Sequence, residues 1–351
     1  MSYSITKREL GRFKESMGLG GKRILLYHND PDGICSAALL LRFFPGFETI
    51  PRAGPWTSSE FVDELIRKRP RLVLFMDIPV DQEEKKIRKL LKRTGCMVVI
   101  IDHHIYEENL DSKEILHINP RFRDKNAYIP CSTMIYRMLE KMGFDVRKFC
   151  WIAAMGIIGD YAFEGSADIL DECRKEYPYL LMKRPLDSKL SEGADTISYS
   201  TIIKGLKGAG ESLKVLMKSL DYGEFAGDKK LQRWREEMER EFEFILKDAE
   251  REEHPDIGLV IYTIKTRFNV TSLVATHFSE KDRNKIIMVR KQLKKGWKAC
   301  LRNQSGRINL GRVVKKCVSG IGSGGGHEKA AGILTTDWEK FKKRFISSLS
   351  S

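Results

Sequence analysis

Three apolar runs in the first hundred residues each end in metal-type ligands, and this pattern limits the fold more than any other feature of the chain. Ile24 to Tyr27 leads into His28-Asn29-Asp30-Pro31-Asp32-Gly33, Leu72 to Met76 ends in Asp77, and Met97 to Ile101 ends in Asp102-His103-His104. Short runs of Val, Ile and Leu read as strands buried on both faces. The stretches between them, of about 20 to 45 residues, carry helical spacing, as at Ile34 to Phe44. Strands alternating with helices predict an α/β domain whose parallel sheet is covered on both faces. Ligands of such sheets bind beyond the carboxyl ends of the strands, where all three clusters fall.

The remaining pattern extends this plan. Helical spacing returns at Thr133 to Met142 and at Trp151 to Ile158, which leads into Gly159-Asp160, and Ser166 to Gly227 reads as a helical cap. Leu231, Trp234, Met238, Phe242, Ile245 and Ala249 step by three and four, which predicts one amphipathic helix of about 25 residues and roughly 37 Å. Its acidic outer face and the following His254-Pro255 read as a connector. Beyond it, strands at Ile257–Ile264, Lys285–Arg290 and Trp297–Arg302 and helices at Val270–Phe278 and Leu310–Ser319 predict a second, smaller α/β unit. It closes with Ser323-Gly324-Gly325-Gly326-His327, Ala330-Ala331-Gly332 and a helix from Trp338. The expected division is therefore 1–227, a connector at 228–254, and 255–351, with the active site in the cleft between the two domains.

Charge narrows the partner. The 351 residues carry a formal net charge of +14, and Lys281 to Lys316 holds thirteen Lys or Arg against the single acid Asp282. Such a segment attracts polyanions, nucleic acid first and an anionic membrane surface second, although a solvated face or adaptation to heat also fits. No stretch of roughly 18 apolar residues is available to span a membrane, so no membrane partner is expected. The opening Met1-Ser2-Tyr3-Ser4-Ile5-Thr6-Lys7 lacks the apolar core of a secretory signal, which makes the cytoplasm the expected compartment. The seven cysteines are scattered and never form C-x-x-C, as expected of reduced, buried thiols.

His28, Asp30, Asp32, Asp77, His103 and Asp160 all sit at or just after an apolar run, which makes them candidates for one site. Asp77 and Asp160 also fit helix caps, and Asp30-Pro31-Asp32-Gly33 also fits a turn. Carboxylates crowded at one end of a sheet repel, and burial raises their pKa values unless cations neutralise them. Two divalent ions about 3.5 to 4 Å apart resolve the conflict and serve phosphoryl chemistry, because they bind phosphate oxygens and generate hydroxide. Mixed His and Asp ligands favour Mn²⁺, with Mg²⁺ as the alternative.

In their order, His-x-Asp-x-Asp-Gly, the strand-end Asp77, Asp-His-His, Gly-x-x-Gly-Asp and Gly-Gly-Gly-His resemble the DHH phosphoesterase superfamily of RecJ-like exonucleases, oligoribonucleases and cyclic-dinucleotide phosphodiesterases. The resemblance runs from His28 to Gly332. It implies that His28, Asp30 and Asp77 hold one ion, that Asp32, Asp77, His103 and Asp160 hold the other, and that Asp77 bridges. Asp102 would orient the histidines and His104 would contact the scissile phosphate. Gly324, Gly325, Gly326 and His327 resemble the substrate-binding motif of the family's DHH-associated domain, and Arg302 resembles its phosphate-gripping arginine. The implied activity is a Mn²⁺-dependent phosphodiesterase that shortens single-stranded DNA or RNA from an end or finishes short oligonucleotides. The length leaves no obvious room for the oligonucleotide-binding barrel of longer RecJ nucleases, which points to short substrates or to a replication or repair helper protein; a homodimer is a further expectation. The alternatives are a small-molecule phosphohydrolase for a cyclic dinucleotide, 3′,5′-bisphosphonucleotide or pyrophosphate, and a nucleic-acid-binding replication scaffold.

Overall fold

A computed structural model describes residues 4–54, 58–326 and 328–349, so His327 lies outside the described residues. The chain forms two compact units, Met1–Arg235 and Glu236–Ser351. Among the described residues, no helix is long and apolar enough to cross a membrane.

In the first unit, helix α1 (Lys7–Met17) is started by Thr6, whose hydroxyl accepts from the Glu9 amide while the Glu9 carboxylate accepts from the Thr6 amide. Strand β1 (Arg23–His28) then runs almost directly into α2 (Pro31–Phe43), with Asp30 as its N-cap and Pro31 in its first turn. The alternation continues through β2 (Phe47–Arg52), α3 (Ser59–Arg67), β3 (Leu72–Met76), α4 (Glu84–Thr94), β4 (Met97–Ile101) and β5 (Ile115–Ile118). All five strands are parallel, in the order β2-β1-β3-β4-β5. The expected parallel sheet is therefore present, with two strands more than the apolar runs announced. The edge strand β2 is Phe-Glu-Thr-Ile-Pro-Arg and has no buried residue, so it lacks an apolar run. The other edge, β5, is only four residues long.

Helices cover both faces, as a parallel sheet requires. One core joins Leu25, Leu74 and Val99 to α2 and to the later helices α5 (Cys131–Lys141), α6 (Cys150–Gly159), α7 (Ala167–Glu176), α8 (Lys189–Lys204), α9 (Leu206–Lys218) and α10 (Tyr222–Ala226). The opposite core joins Ile24, Leu26, Val73 and Ile100 to Val62 and Leu65 of α3 and Ile87 and Leu90 of α4. The helical cap expected from Ser166 to Gly227 is α7 to α10.

Register carries the site. Tyr27 is level with Met76, and Met76 with Ile101, so the next residues His28, Asp77 and Asp102 emerge side by side at the carboxyl edge. The chain reverses its direction across the sheet between β1 and β3, which makes this edge the ligand-binding position of a doubly wound sheet. Glycines then let α6 close over the edge. A Cβ on Gly159 would lie 2.5 Å from Pro31 Cβ, and one on Gly156 would lie 2.6 Å from Ser132 Oγ. Gly33 is constrained in the same way, since a Cβ there would lie 2.5 Å from the His28 carbonyl oxygen.

The second unit begins within α11 (Lys229–Asp248), a helix of 20 residues that is shorter than the periodicity predicts. The end of the expected connector, 228–254, is not helical: it forms β6 (Glu250–His254), an edge strand antiparallel to β7 (Leu259–Thr263). Its Glu-Arg-Glu-Glu-His sequence is charged because an edge strand needs protection rather than burial. Then follow α12 (Thr271–Lys281), β8 (Ile286–Gln292), β9 (Trp297–Asn303), α13 (Leu310–Cys317), β10 (Gly322–Gly326), β11 (Ala330–Thr335) and α14 (Trp338–Leu349). The six strands are ordered β10-β11-β9-β8-β7-β6, and only β7 and β8 are parallel. Leu301, Val314, Ile333, Phe341 and Phe345 lie in the core of this unit.

Gly159→Ala is expected to cost about 1–3 kcal/mol, because Pro31 is fixed in the first turn of α2 and cannot yield. Gly95 ends α4 in left-handed backbone with open space around it, so Gly95→Ala meets only the strain of that backbone, about 1 kcal/mol. Urea denaturation of both variants checks the order.

Candidate metal centre

The six candidate ligands come together at the carboxyl edge of the first sheet. His28 Nδ1 lies 2.7 Å from Asp30 Oδ2 and 3.4 Å from Asp77 Oδ2. His103 Nε2 lies 3.2 Å from Asp77 Oδ1 and 3.3 Å from Asp160 Oδ2. Among the described residues, four triads have ligand atoms within 4.8 Å of one another: His28-Asp30-Asp77, Asp32-His103-Asp160, Asp77-His103-His104 and Asp32-Asp77-Cys131. Asp77 belongs to three of them, so its two oxygens stand between the His28 side and the His103 side.

Local structure explains each placement. Asp30 caps α2 through Oδ1, which accepts from the Gly33 amide at 2.9 Å, and this leaves Oδ2 beside His28. Asp32, wholly buried, accepts from the Cys131 and Ser132 amides at 2.7 and 2.8 Å at the start of α5, where a helix N-terminus stabilises negative charge. Asp77 has left-handed backbone, φ 60°, and its amide donates to the Ile101 carbonyl at 2.8 Å. A non-glycine residue held there costs about 1–2 kcal/mol, and such strain gathers at functional sites. Asp160 ends α6, which Gly156 and Gly159 bring against α2 and α5.

Three further histidine contacts fix the rim. Asp102 Oδ1 lies 2.8 Å from His104 Nδ1 and so orients His104, not His103. His104 is half-exposed. The backbone oxygens of His103 and His104 accept from Arg121 Nε at 2.8 Å and from Asn119 Nδ2 at 3.0 Å. Arg121, Asn119 and the buried Cys131 do not stand out in the sequence: Asn119 follows the four-residue β5 directly, and Arg121 and Cys131 come later in the segment that leads to α5.

Electrostatics agree with a cation site. Burial pushes the Asp77 and Asp160 carboxyls well above the usual carboxylate range; the Asp30 charge adds to this at Asp77, whereas His103 opposes it at Asp160. Burial also raises Asp32. At Asp30 and Asp102 burial acts the same way but is outweighed, at Asp30 by His28 and at Asp102 by His104, and both fall below the usual range. Burial pulls the His28 imidazole down, yet Asp30 and Asp77 lift it well above its ordinary value. Asp77 Oδ2 and Asp160 Oδ2 are buried without a hydrogen-bond partner, with imidazole nitrogens 3.4 and 3.3 Å away. Buried polar atoms that converge without hydrogen-bonding one another are what a ligand shell requires. The residues present therefore fit a divalent ion, with hard carboxylates and borderline imidazoles as donors.

The other candidate residues belong to the second unit. Gly322 to Gly326 is not a loop but the edge strand β10, and a Cβ on Gly324 or Gly326 would strike the β11 backbone. Gly325 is different: a Cβ there would meet nothing within 4 Å. Gly326, Ala331 and Leu301 stand in one row across β10, β11 and β9, and Arg302 is the next residue along β9. Its guanidinium donates to Ser272 Oγ at 2.7 Å and Thr276 Oγ1 at 3.1 Å, both on α12.

Comparison with known proteins gives the class. Residues 23–157 match the DHH family N-terminal domain, and residues 256–349 match the DHHA1 domain. The chain belongs to the DHH phosphoesterase superfamily. No curated protein sequence matches it. Among solved structures, it is similar to RecJ in complex with Mn²⁺ from Thermus thermophilus, with 19% identity, a TM-score of 0.70, and coverage of 98% of this chain and 54% of that one. This chain thus spans about half the length of that RecJ. A DHH domain from a protein described as a member of a ribosomal protein family gives 17% identity and a TM-score of 0.74, covering 98% of this chain and 92% of that one. CDC45 from Entamoeba histolytica gives 12% and 0.57, covering 98% and 97%.

Proton linkage yields two expectations. Asp77 and Asp160 have raised folded-state pKa values, so their contribution to metal-free stability is present below the ordinary carboxylate pKa and is lost as pH rises through the folded values. A bound cation needs the ionised forms, so the rise in Tm on adding Mn²⁺ is expected to grow as pH rises above the ordinary carboxylate range, and thermal scans against pH check it. Asp77→Asn removes the central charge without changing shape. The metal-free variant should melt no lower than the wild type, and Mn²⁺ should no longer shift its Tm.

Proposed function

We propose that this chain is a two-metal phosphodiesterase that removes nucleotides from an end of single-stranded DNA or RNA, or finishes short oligonucleotides, with Mn²⁺ as its metal. The observation that carries the reading is the pair of triads, His28-Asp30-Asp77 and Asp32-His103-Asp160, joined through Asp77. Two divalent ions held there would neutralise the carboxylates, bind phosphate oxygens and activate water for attack on phosphorus.

The chain's own side chains supply the rest. His28 and Asp30 hold one position, Asp32, His103 and Asp160 hold the other, and Asp77 serves both. His104, held by Asp102 through Nδ1, would use Nε2 as a donor to the phosphoryl oxygen on which charge develops. In the second unit, Gly325 offers bare backbone that packing does not require, and Arg302, braced by α12, offers a planar donor for phosphate. The excess of base between Lys281 and Lys316 favours a strand over a small phosphate compound. The chain of the Mn²⁺-bound RecJ, which shares this fold, supports the same reading.

Oligonucleotides of DNA and RNA, labelled at the 5′ or 3′ end and incubated with Mn²⁺, should be shortened in single-nucleotide steps. Rapid turnover of pyrophosphate or a cyclic dinucleotide without strand shortening would instead favour a small-molecule enzyme. His104→Ala should lower kcat by about 10²- to 10³-fold while leaving the Mn²⁺-induced rise in Tm intact. A replication scaffold would keep strand binding in Asp77→Ala and His103→Ala and have no turnover to lose.

A further inference from the structure

The first unit has a concavity that the metal ligands do not line. A cavity of about 560 Å³ is lined by Tyr128, Tyr161 and Phe163 together with Arg123, Asn126 and Glu164. Its size lies within the usual range for small-molecule sites. It also borders the metal centre directly. The Tyr128 hydroxyl donates to the Asp160 carbonyl at 3.1 Å, and its ring centroid lies 5.3 Å from that of His103. Tyr161 follows Asp160 in the chain.

The aromatic side chains are displayed rather than buried. Tyr161 is 53% exposed and Tyr128 is 42% exposed. Tyr161 is held in left-handed backbone, φ 56°, a conformation that a bulky residue rarely adopts. Its ring is set edge-to-face against Phe163, with centroids 6.3 Å apart. The cavity is not built for phosphate: Arg123 pairs with Glu9 at 3.2 Å, and Asp124 and Glu164 add negative charge. Flat exposed rings, few cations and a neighbouring phosphoryl site make a surface on which a heterocyclic base can stack.

We propose that this cavity is a nucleobase subsite, in which the base of a nucleotide next to the scissile phosphate stacks on Tyr161 and Tyr128. The inference rests on the phosphodiesterase reading above and names what that site selects. Stacking tolerates any base, so the subsite confers a demand for an unpaired base rather than for a sequence. A substrate without a heterocycle, such as pyrophosphate, gains nothing from it.

The test uses the full-length protein with Mn²⁺ and a series of oligonucleotides in which one residue at a time near the cleaved end is a tetrahydrofuran abasic analogue. One abasic position should lower kcat/KM by about ten-fold, mainly through KM. Tyr161→Gly, which suits the left-handed backbone, should erase the difference between base and abasic at that position, and Tyr161→Trp should keep it. Both variants should retain the Mn²⁺-induced rise in Tm, which separates loss of the subsite from loss of the metal centre. The subsite is overturned if wild-type cleavage ignores base removal at every position, or if Tyr161→Gly discriminates as well as wild type; in both cases the nuclease reading stands. A wild-type protein that cleaves no oligonucleotide overturns the nuclease reading and the subsite with it.

Discussion

Mutual repulsion among carboxylates at one end of a buried parallel sheet governs the rest of this molecule. Asp30, Asp32, Asp77, Asp102 and Asp160 all lie at or near the carboxyl edge of β1, β3 and β4, and three of them are almost wholly inaccessible to water. Hydrogen bonding relieves part of the strain: Asp32 is held by two α5 amides and Asp102 by His104. Asp77 and Asp160 keep buried oxygens without a hydrogen-bond partner, which a bound cation would satisfy. The left-handed backbone at Asp77 is of a piece with this, since it aims a carboxylate into a crowd that stability alone would avoid.

The scaffold that tolerates this strain is built from packing rather than from polar bonds. The wholly apolar β3 and the almost fully buried α2 and α6 anchor the edge. Gly33, Gly156 and Gly159 remove the side chains that would keep these elements apart. Rigid elements bearing short side chains hold ligand atoms more closely than loops would. The water-accessible chemistry is left to the rim, where His104 stands half-exposed on its Asp102 brace.

How much of this was legible in the sequence depends on how locally each signal is written. β1, β3 and β4 are readable because strands buried on both faces must be continuously apolar, and the ligands are readable because each follows such a run directly. The edge strands leave weaker traces. β2 contains Glu48, Thr49 and Pro51, and β6 is almost entirely charged, so neither looks like a strand without its neighbour. The run from Gly322 to Gly326 has one side chain, Ser323, too little to show a period, and only its pairing with β11 defines it as a strand. Cys131, Asn119 and Tyr128 join the site through the fold of the β5–α5 segment, which no spacing rule predicts. Asp102 is a subtler case: adjacency offers it both histidines, and only geometry assigns it to His104.

Asp77 as the shared ligand of two ions is the claim on which the account turns. Electron paramagnetic resonance of the protein titrated with Mn²⁺ tests it without reference to any substrate. Two ions sharing one carboxylate at about 3.5 to 4 Å are expected to give an exchange-coupled spectrum that saturates at two Mn²⁺ per chain. A spectrum of isolated Mn²⁺ at saturation, or a stoichiometry of one, would contradict it.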